Sequence, residues 1–123
     1  MEPYVIPFEE LGLDDREIVG GKNSSLGEMI NNLSKAGVRV PGGFATTASA
    51  YREFLAQDGL AEKIDALLQK LDADNLDQLA STGMQIREWV LEAPLPEGMR
   101  TAIATSWEGM RDGEADDFSV AVR

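Results

Sequence analysis

The chain has 123 residues, 43% hydrophobic and 27% charged. That is the composition of a soluble globular protein with enough length for about one domain, or a piece of one. It contains no cysteine and no histidine, which excludes disulfides, thiolate or imidazole zinc sites, a Cys nucleophile and any histidine general base within this chain. Eleven basic against twenty-two acidic side chains give a formal charge of −11, which disfavours nucleic acid and anionic membrane surfaces as partners.

The charge is uneven. Residues 1–52 carry five basic and seven acidic side chains, and residues 53–123 carry six and fifteen, so an anionic ligand should prefer the first segment. No apolar run approaches the roughly 18 residues of a membrane span. The opening Met1-Glu2-Pro3-Tyr4 has neither the basic start nor the apolar stretch of a signal peptide. The expected location is therefore cytoplasmic.

In chain order, Tyr4 to Phe8 is a short apolar run whose two prolines, Pro3 before it and Pro7 within it, suit an edge strand. Residues 9–19 read as a polar connection. Gly20-Gly21-Lys22-Asn23-Ser24-Ser25 is a glycine-opened loop, with Asn23 or Ser24 as the cap of a helix carrying Leu26, Met29, Ile30, Leu33 and Ala36 on one face. Gly37 ends that helix. Val38 to Pro41 is extended, Gly42-Gly43 turns, and Phe44 to Thr46 forms a second strand. Thr47 caps a helix to about Gln57 with Tyr51, Phe54 and Leu55 inward, and Gly59 breaks it.

A fourth segment places Leu60, Ile64, Leu67, Leu68 and Leu71 on one stripe. Asp72 to Asn75 supplies caps for a helix burying Leu76, Leu79, Gly83, Ile86 and Val90. Pro94 and Pro96 interrupt the pattern. With Pro96 at its first position, a last helix aligns Met99, Ile103, Trp107 and Met110. Residues 113–117 form an acidic loop. Phe118, Val120 and Val122 alternate as in a strand. The fold class is α+β: a small mixed or antiparallel sheet, from residues near 4–8, 44–46 and 118–122, covered by about five helices.

The chemistry concentrates at Gly20-Gly21-Lys22. Two glycines allow close approach of the backbone to a bulky anion, the following helix offers unpaired N–H groups, and Lys22 adds a full charge. The Walker A pattern is not met, because Arg16 and Asn23 stand where its first glycine and its Ser or Thr belong. Taken alone, the loop is also readable as a capped turn with a surface lysine. The leucine and methionine stripes read as core. The acidic run Glu114, Asp116, Asp117 reads as a solvated loop before it reads as a cation site. Asp72 and Asp74 lack the glycine and terminal Glu of an EF-hand loop.

Two blocks carry a resemblance. Val19-Gly20-Gly21-Lys22-Asn23-Ser24-Ser25-Leu26-Gly27-Glu28-Met29 and Gly37-Val38-Arg39-Val40-Pro41-Gly42-Gly43-Phe44-Ala45-Thr46-Thr47-Ala48-Ser49-Ala50-Tyr51 follow one another as in the phosphoenolpyruvate synthases (pyruvate, water dikinases). Ile86-Arg87-Glu88-Trp89 and Val120-Ala121-Val122-Arg123 resemble further positions of that family. Pyruvate, phosphate dikinase and rifampicin phosphotransferase share the Gly-Gly-Lys centre. Asn23 and Phe44 to Thr47 lean toward the synthases.

The resemblance implies an ATP-grasp-like nucleotide-binding domain, of which residues 1–123 would be the first subdomain, cut from a longer protein at Arg123. It implies ATP as substrate, with Lys22, Arg123, Gly20 and Gly21 at the ATP phosphates. The phosphoryl carrier would be a histidine on a separate domain, the acceptor pyruvate on a third, and the Mg2+ ligands would lie outside this chain. No catalytic residue is expected here, and the piece alone should bind ATP weakly or not at all. One alternative within enzymes is the corresponding region of rifampicin phosphotransferase or pyruvate, phosphate dikinase. An alternative of another class is an acidic helical interaction module without nucleotide binding.

Overall fold

The computed structural model describes residues 2–114 and 116–123, so residue 115 of the expected acidic loop lies outside the described residues. The chain divides into two compact units, residues 1–51 with 97–123, and residues 52–96. The fold is α+β, with a small antiparallel sheet and a majority of helix.

In the first unit, β1 (Val5–Pro7) pairs antiparallel with β2 (Phe44–Thr46), matching Val5 with Thr46, Ile6 with Ala45 and Pro7 with Phe44. A two-stranded ribbon has only edges, which is where a proline without an N–H is tolerated. Backbone bonds from Phe8 N to Gly43 O and from Thr47 N to Tyr4 O, each 3.0 Å, continue the pairing at both ends. The strand expected at residues 118–122 does not form, and residues 118–123 have no regular secondary structure. Val120 and Val122 are exposed. Phe118 is held instead by the Trp107 ring, 5.5 Å away between centroids.

Residues 9–19, read from the sequence as a polar connection, are instead three short helical pieces: 3-10 turns at Phe8–Glu10 and Leu13–Asp15, then α1 (Arg16–Val19). They also supply two of the three residues of one buried apolar cluster. Leu11, Val19 and Ala45 are buried together, with Ile6, Phe8 and Ile18 packed on them.

Helix α2 (Gly21–Lys35) starts at Gly21, so Lys22 lies in its first turn rather than in a preceding loop. Neither Asn23 nor Ser24 is the cap. Asn23 Nδ2 donates to Val19 O at 2.9 Å and Ser24 Oγ to Gly21 O at 3.1 Å. The N-cap is Gly20, whose φ of 87° and ψ of 162° suit a residue without Cβ. Its N–H closes α1 by bonding Arg16 O at 2.8 Å.

The buried face of α2 is Ser24, Gly27 and Ile30, while Met29 of the expected stripe is exposed. The reason is a close backbone approach. A Cβ on Gly27 would stand 2.5 Å from Leu11 Cβ and 2.7 Å from Leu11 O. Asn31 Nδ2 donates to Leu11 O at 2.9 Å, and Glu28 Oε2 accepts from Leu13 N at 3.2 Å. Together these clamp residues 11–13 along α2. The helix ends as expected at Gly37, φ 81°, with Val38 N bonded back to Leu33 O at 2.9 Å.

Thr47 opens α3 (Ala48–Ala56). Its buried hydroxyl accepts from Ala50 N at 3.2 Å and donates to Pro3 O at 2.8 Å. Tyr51, expected inward, is exposed. α6 (Glu97–Arg111) begins just after Pro96 and packs on β1, burying Met99 and half-burying Ile103, Trp107 and Met110, the expected stripe.

In the second unit, Gly59 (φ 71°) separates a 3-10 turn from α4 (Leu60–Gln69), which packs against α5 (Leu76–Glu92). Asn75 caps α5, its Oδ1 accepting from Gln78 N at 3.1 Å. The Gln78 side chain spans the turn, accepting from Asp72 N at 2.7 Å and donating to Lys70 O at 3.3 Å. The inward stripe of α5 is shifted from the expected one. Thr82 is buried, Ile86 and Val90 are half-buried, and Leu76 and Leu79 are exposed.

Candidate functional site

The clamp on residues 11–13 fixes where Arg16 emerges, and Gly20 fixes where α2 starts. Between them opens a cleft of about 850 Å³ in the first unit. Its polar wall is Arg16, Lys22, Ser24, Ser25 and Arg123, with Gly21 at the helix start. Its apolar wall is Leu13, Leu26 and Met29. Of the sequence-predicted residues, Gly21, Lys22 and Arg123 line this one cleft. Gly20 does not, and its part is to turn the chain from α1 into α2. Arg123 reaches the cleft although residues 118–122 form no strand.

Lys22, in the first turn of α2, is exposed. Among the described residues no acidic side chain is shown paired with Lys22, Arg16 or Arg123. Arg111, outside the cleft, is by contrast paired with Glu108 at 2.8 Å. The first turn of α2 carries no acidic residue and no side-chain cap. Its positive end therefore shares the cleft with three cationic side chains and no acidic one, an arrangement that favours an anion with several oxygens.

Sequence reasoning missed Arg16 and the apolar wall. Arg16 entered only as a departure from the Walker A pattern. The available signal was its position four residues before Gly20, one helical turn away. No acidic side chain lines the cleft, so its side-chain donors fit phosphate oxygens and not a resident metal ion. No group of three or more carboxylates is placed to hold a metal among the described residues, at Glu114, Asp116 and Asp117 or elsewhere. No described helix is long and apolar enough to cross a membrane.

The profile of the family described as "Pyruvate phosphate dikinase, AMP/ATP-binding domain" matches residues 16–123. Among similar proteins, the phosphoenolpyruvate synthase of Neisseria meningitidis serogroup B is 55% identical over 121 residues, 98% of this chain and 15% of that protein. That of Pseudomonas aeruginosa is 53% identical over 123 residues, 100% of this chain and 15% of that protein. That of Escherichia coli K12 is 46% identical over 121 residues, 98% of this chain and 15% of that protein. The chain thus spans about 15% of the length of these curated relatives. With a match across nearly all of its residues, the chain belongs to the pyruvate phosphate dikinase AMP/ATP-binding domain family.

Proposed function

We propose that this chain is the first part of the nucleotide-binding domain of a phosphoenolpyruvate synthase. The whole enzyme would convert ATP, pyruvate and water into AMP, phosphoenolpyruvate and phosphate in the cytoplasm. The observation that carries the reading is the cleft, which gathers Lys22, Arg123 and the start of α2 with no acidic side chain on its walls. The names of the relatives support the same reaction.

Within it, Lys22 and Arg123 neutralise charge on the ATP phosphates as it redistributes during transfer, and the N–H groups of the first turn of α2 receive phosphate oxygens. Gly21 leaves the helix start open to them. Leu13, Leu26 and Met29 keep water from one side. The phosphoryl carrier is a histidine elsewhere in the longer polypeptide, since this chain has none. Mg2+, which would supply charge neutralisation on ATP and at the pyruvate site, takes its protein ligands from outside this chain.

The test is a replacement. This chain is exchanged for the matching segment of the Pseudomonas aeruginosa relative, and AMP formation dependent on ATP and pyruvate is measured. Activity should be retained, and Lys22→Ala in the chimera should lower kcat/KM by about a hundredfold, roughly the effect of one lost phosphate or oxyanion contact. A folded chimera whose activity ignores Lys22→Ala would sink the assignment of the cleft.

A further inference from the structure

The cleft holds more positive charge than the two matched residues provide. Arg16 opens α1, and its guanidinium lies across the start of α2: a Cβ on Gly21 would stand 3.4 Å from Arg16 Nε and 3.9 Å from its terminal carbon. Three of the chain's eleven cationic side chains therefore line one cleft, and none of its twenty-two acidic side chains does. In a chain of charge −11, three exposed cations beside a positive helix end, with no acidic side chain on the same walls, are a local reversal of the overall charge. It is the kind of local conflict that marks a site built for a ligand.

The position of Arg16 is also not adjustable at low cost. Its carbonyl is tied to Gly20 N at 2.8 Å, and the preceding turn is fixed by Gly12 N donating to Asp15 Oδ2 at 2.9 Å. The cation is therefore presented by a braced segment and not by a loose loop.

Building on the phosphate reading of the cleft, we propose that Arg16 is a third phosphate-binding cation and that it makes the cleft select a polyphosphate chain over a single phosphate. Lys22, Arg123 and the N–H groups at the start of α2 can already balance one phosphate group. Arg16 adds a planar fork of donors suited to the oxygens of a further one. In a nucleotide setting this favours a triphosphate as substrate over the monophosphate product, which helps the product leave.

The test needs no adenine contacts and so stands apart from the replacement experiment. The 123-residue chain is titrated calorimetrically, at fixed ionic strength, with inorganic tripolyphosphate and with orthophosphate. Arg16→Gln should weaken tripolyphosphate binding about tenfold, the scale of one lost charge-assisted contact. It should change orthophosphate binding by less than about twofold. Arg39→Gln removes the same charge from an exposed position outside the cleft, and should leave both unchanged.

Equal weakening of tripolyphosphate by the two variants would overturn the proposal, since net charge would then be the cause. Equal weakening of both anions by Arg16→Gln would overturn the chain-length selection. Absence of saturable tripolyphosphate binding to the unsubstituted chain would overturn it altogether. None of these results bears on whether the chimera needs Lys22, so the two readings fail separately.

Discussion

In residues 1–51 and 97–123 the tightest contacts are made by residues with little or no side chain, whereas residues 52–96 are rich in large apolar side chains that face solvent. Gly27 lets α2 lie directly on the Leu11 backbone, and Gly98 lets α6 lie against Tyr4, where a Cβ would meet the ring at 2.7 Å. In the second unit Phe54 and Leu60 are buried, but Leu76 is 76% exposed and Leu91 84%. Its other ties are lighter: Lys63 Nζ sits 4.6 Å above the Trp89 ring, and Gln57 Nε2 donates to Pro94 O at 2.8 Å. The first unit is thus set by backbone approach, which holds a cleft in shape, and the second by helix pairing with apolar surface left over.

The same substitution should therefore have opposite signs in the two units, and this is the largest effect expected. Gly27→Ala forces a carbon into Leu11, whose own Cβ and carbonyl cannot move without dragging residues 11–13. Unfolding free energy should fall by about 3 kcal/mol, the upper end for overpacking. Gly83→Ala puts its Cβ 3.2 Å from Arg87 Nη1, the far end of a flexible side chain in the middle of α5. Removing a helical glycine there should raise stability by about 0.5–1 kcal/mol. Denaturant melts of both variants read the difference. A Gly27→Ala chain as stable as the original would mean that α2 and residues 11–13 do not touch.

The caps offer a second, smaller contrast. Thr47 is buried and its hydroxyl serves both Ala50 N and Pro3 O. Thr47→Ala takes the donor from the Pro3 carbonyl as well as removing a cap and a buried hydroxyl, and should cost about 2 kcal/mol. Asn75 serves one N–H at an exposed helix start, so Asn75→Ala should cost about half as much. Equal losses in thermal melts would show that the Pro3 contact carries no weight.

These contrasts also mark what is legible in the sequence. Thr47, Asn75, Gly37 and Gly59 are punctuation with a local mechanism, and each sits where its chemistry requires. The stripe of α6 is correct because large apolar residues there face a sheet. Close backbone approach selects small residues, so a count of large ones finds Ile30 but misses Ser24 and Gly27 on the buried face of α2, and passes over Leu11 in a polar stretch. Alternation at residues 118–122 is necessary for a strand, but a strand also needs a partner edge, and Phe118 finds the Trp107 ring instead. At the cleft, Gly21 and Lys22 are visible from their own chemistry and Arg123 only through a family resemblance. Arg16 is invisible because the cleft draws its cations from both ends of the chain, and no local pattern joins residue 16 to residue 123.

The smallest effect expected concerns the apolar surface of the second unit. Leu91 keeps most of its surface in water when the chain is folded, so replacing it removes little burial. Stability contributions scale with area withdrawn from water, at about 25 cal/mol per Å². Leu91→Gln should therefore change the unfolding free energy of this chain by less than about 0.5 kcal/mol. Leu60→Ala, at a site 3% exposed on the neighbouring helix, should cost about 2–5 kcal/mol. The pair calibrates the comparison within one unit. If Leu91→Gln cost as much as Leu60→Ala in the same denaturant melt, then Leu91 would be covered in solution by something the fold of residues 52–96 does not itself provide. The exposed surface of α5 would then be a contact face and not a solvated one.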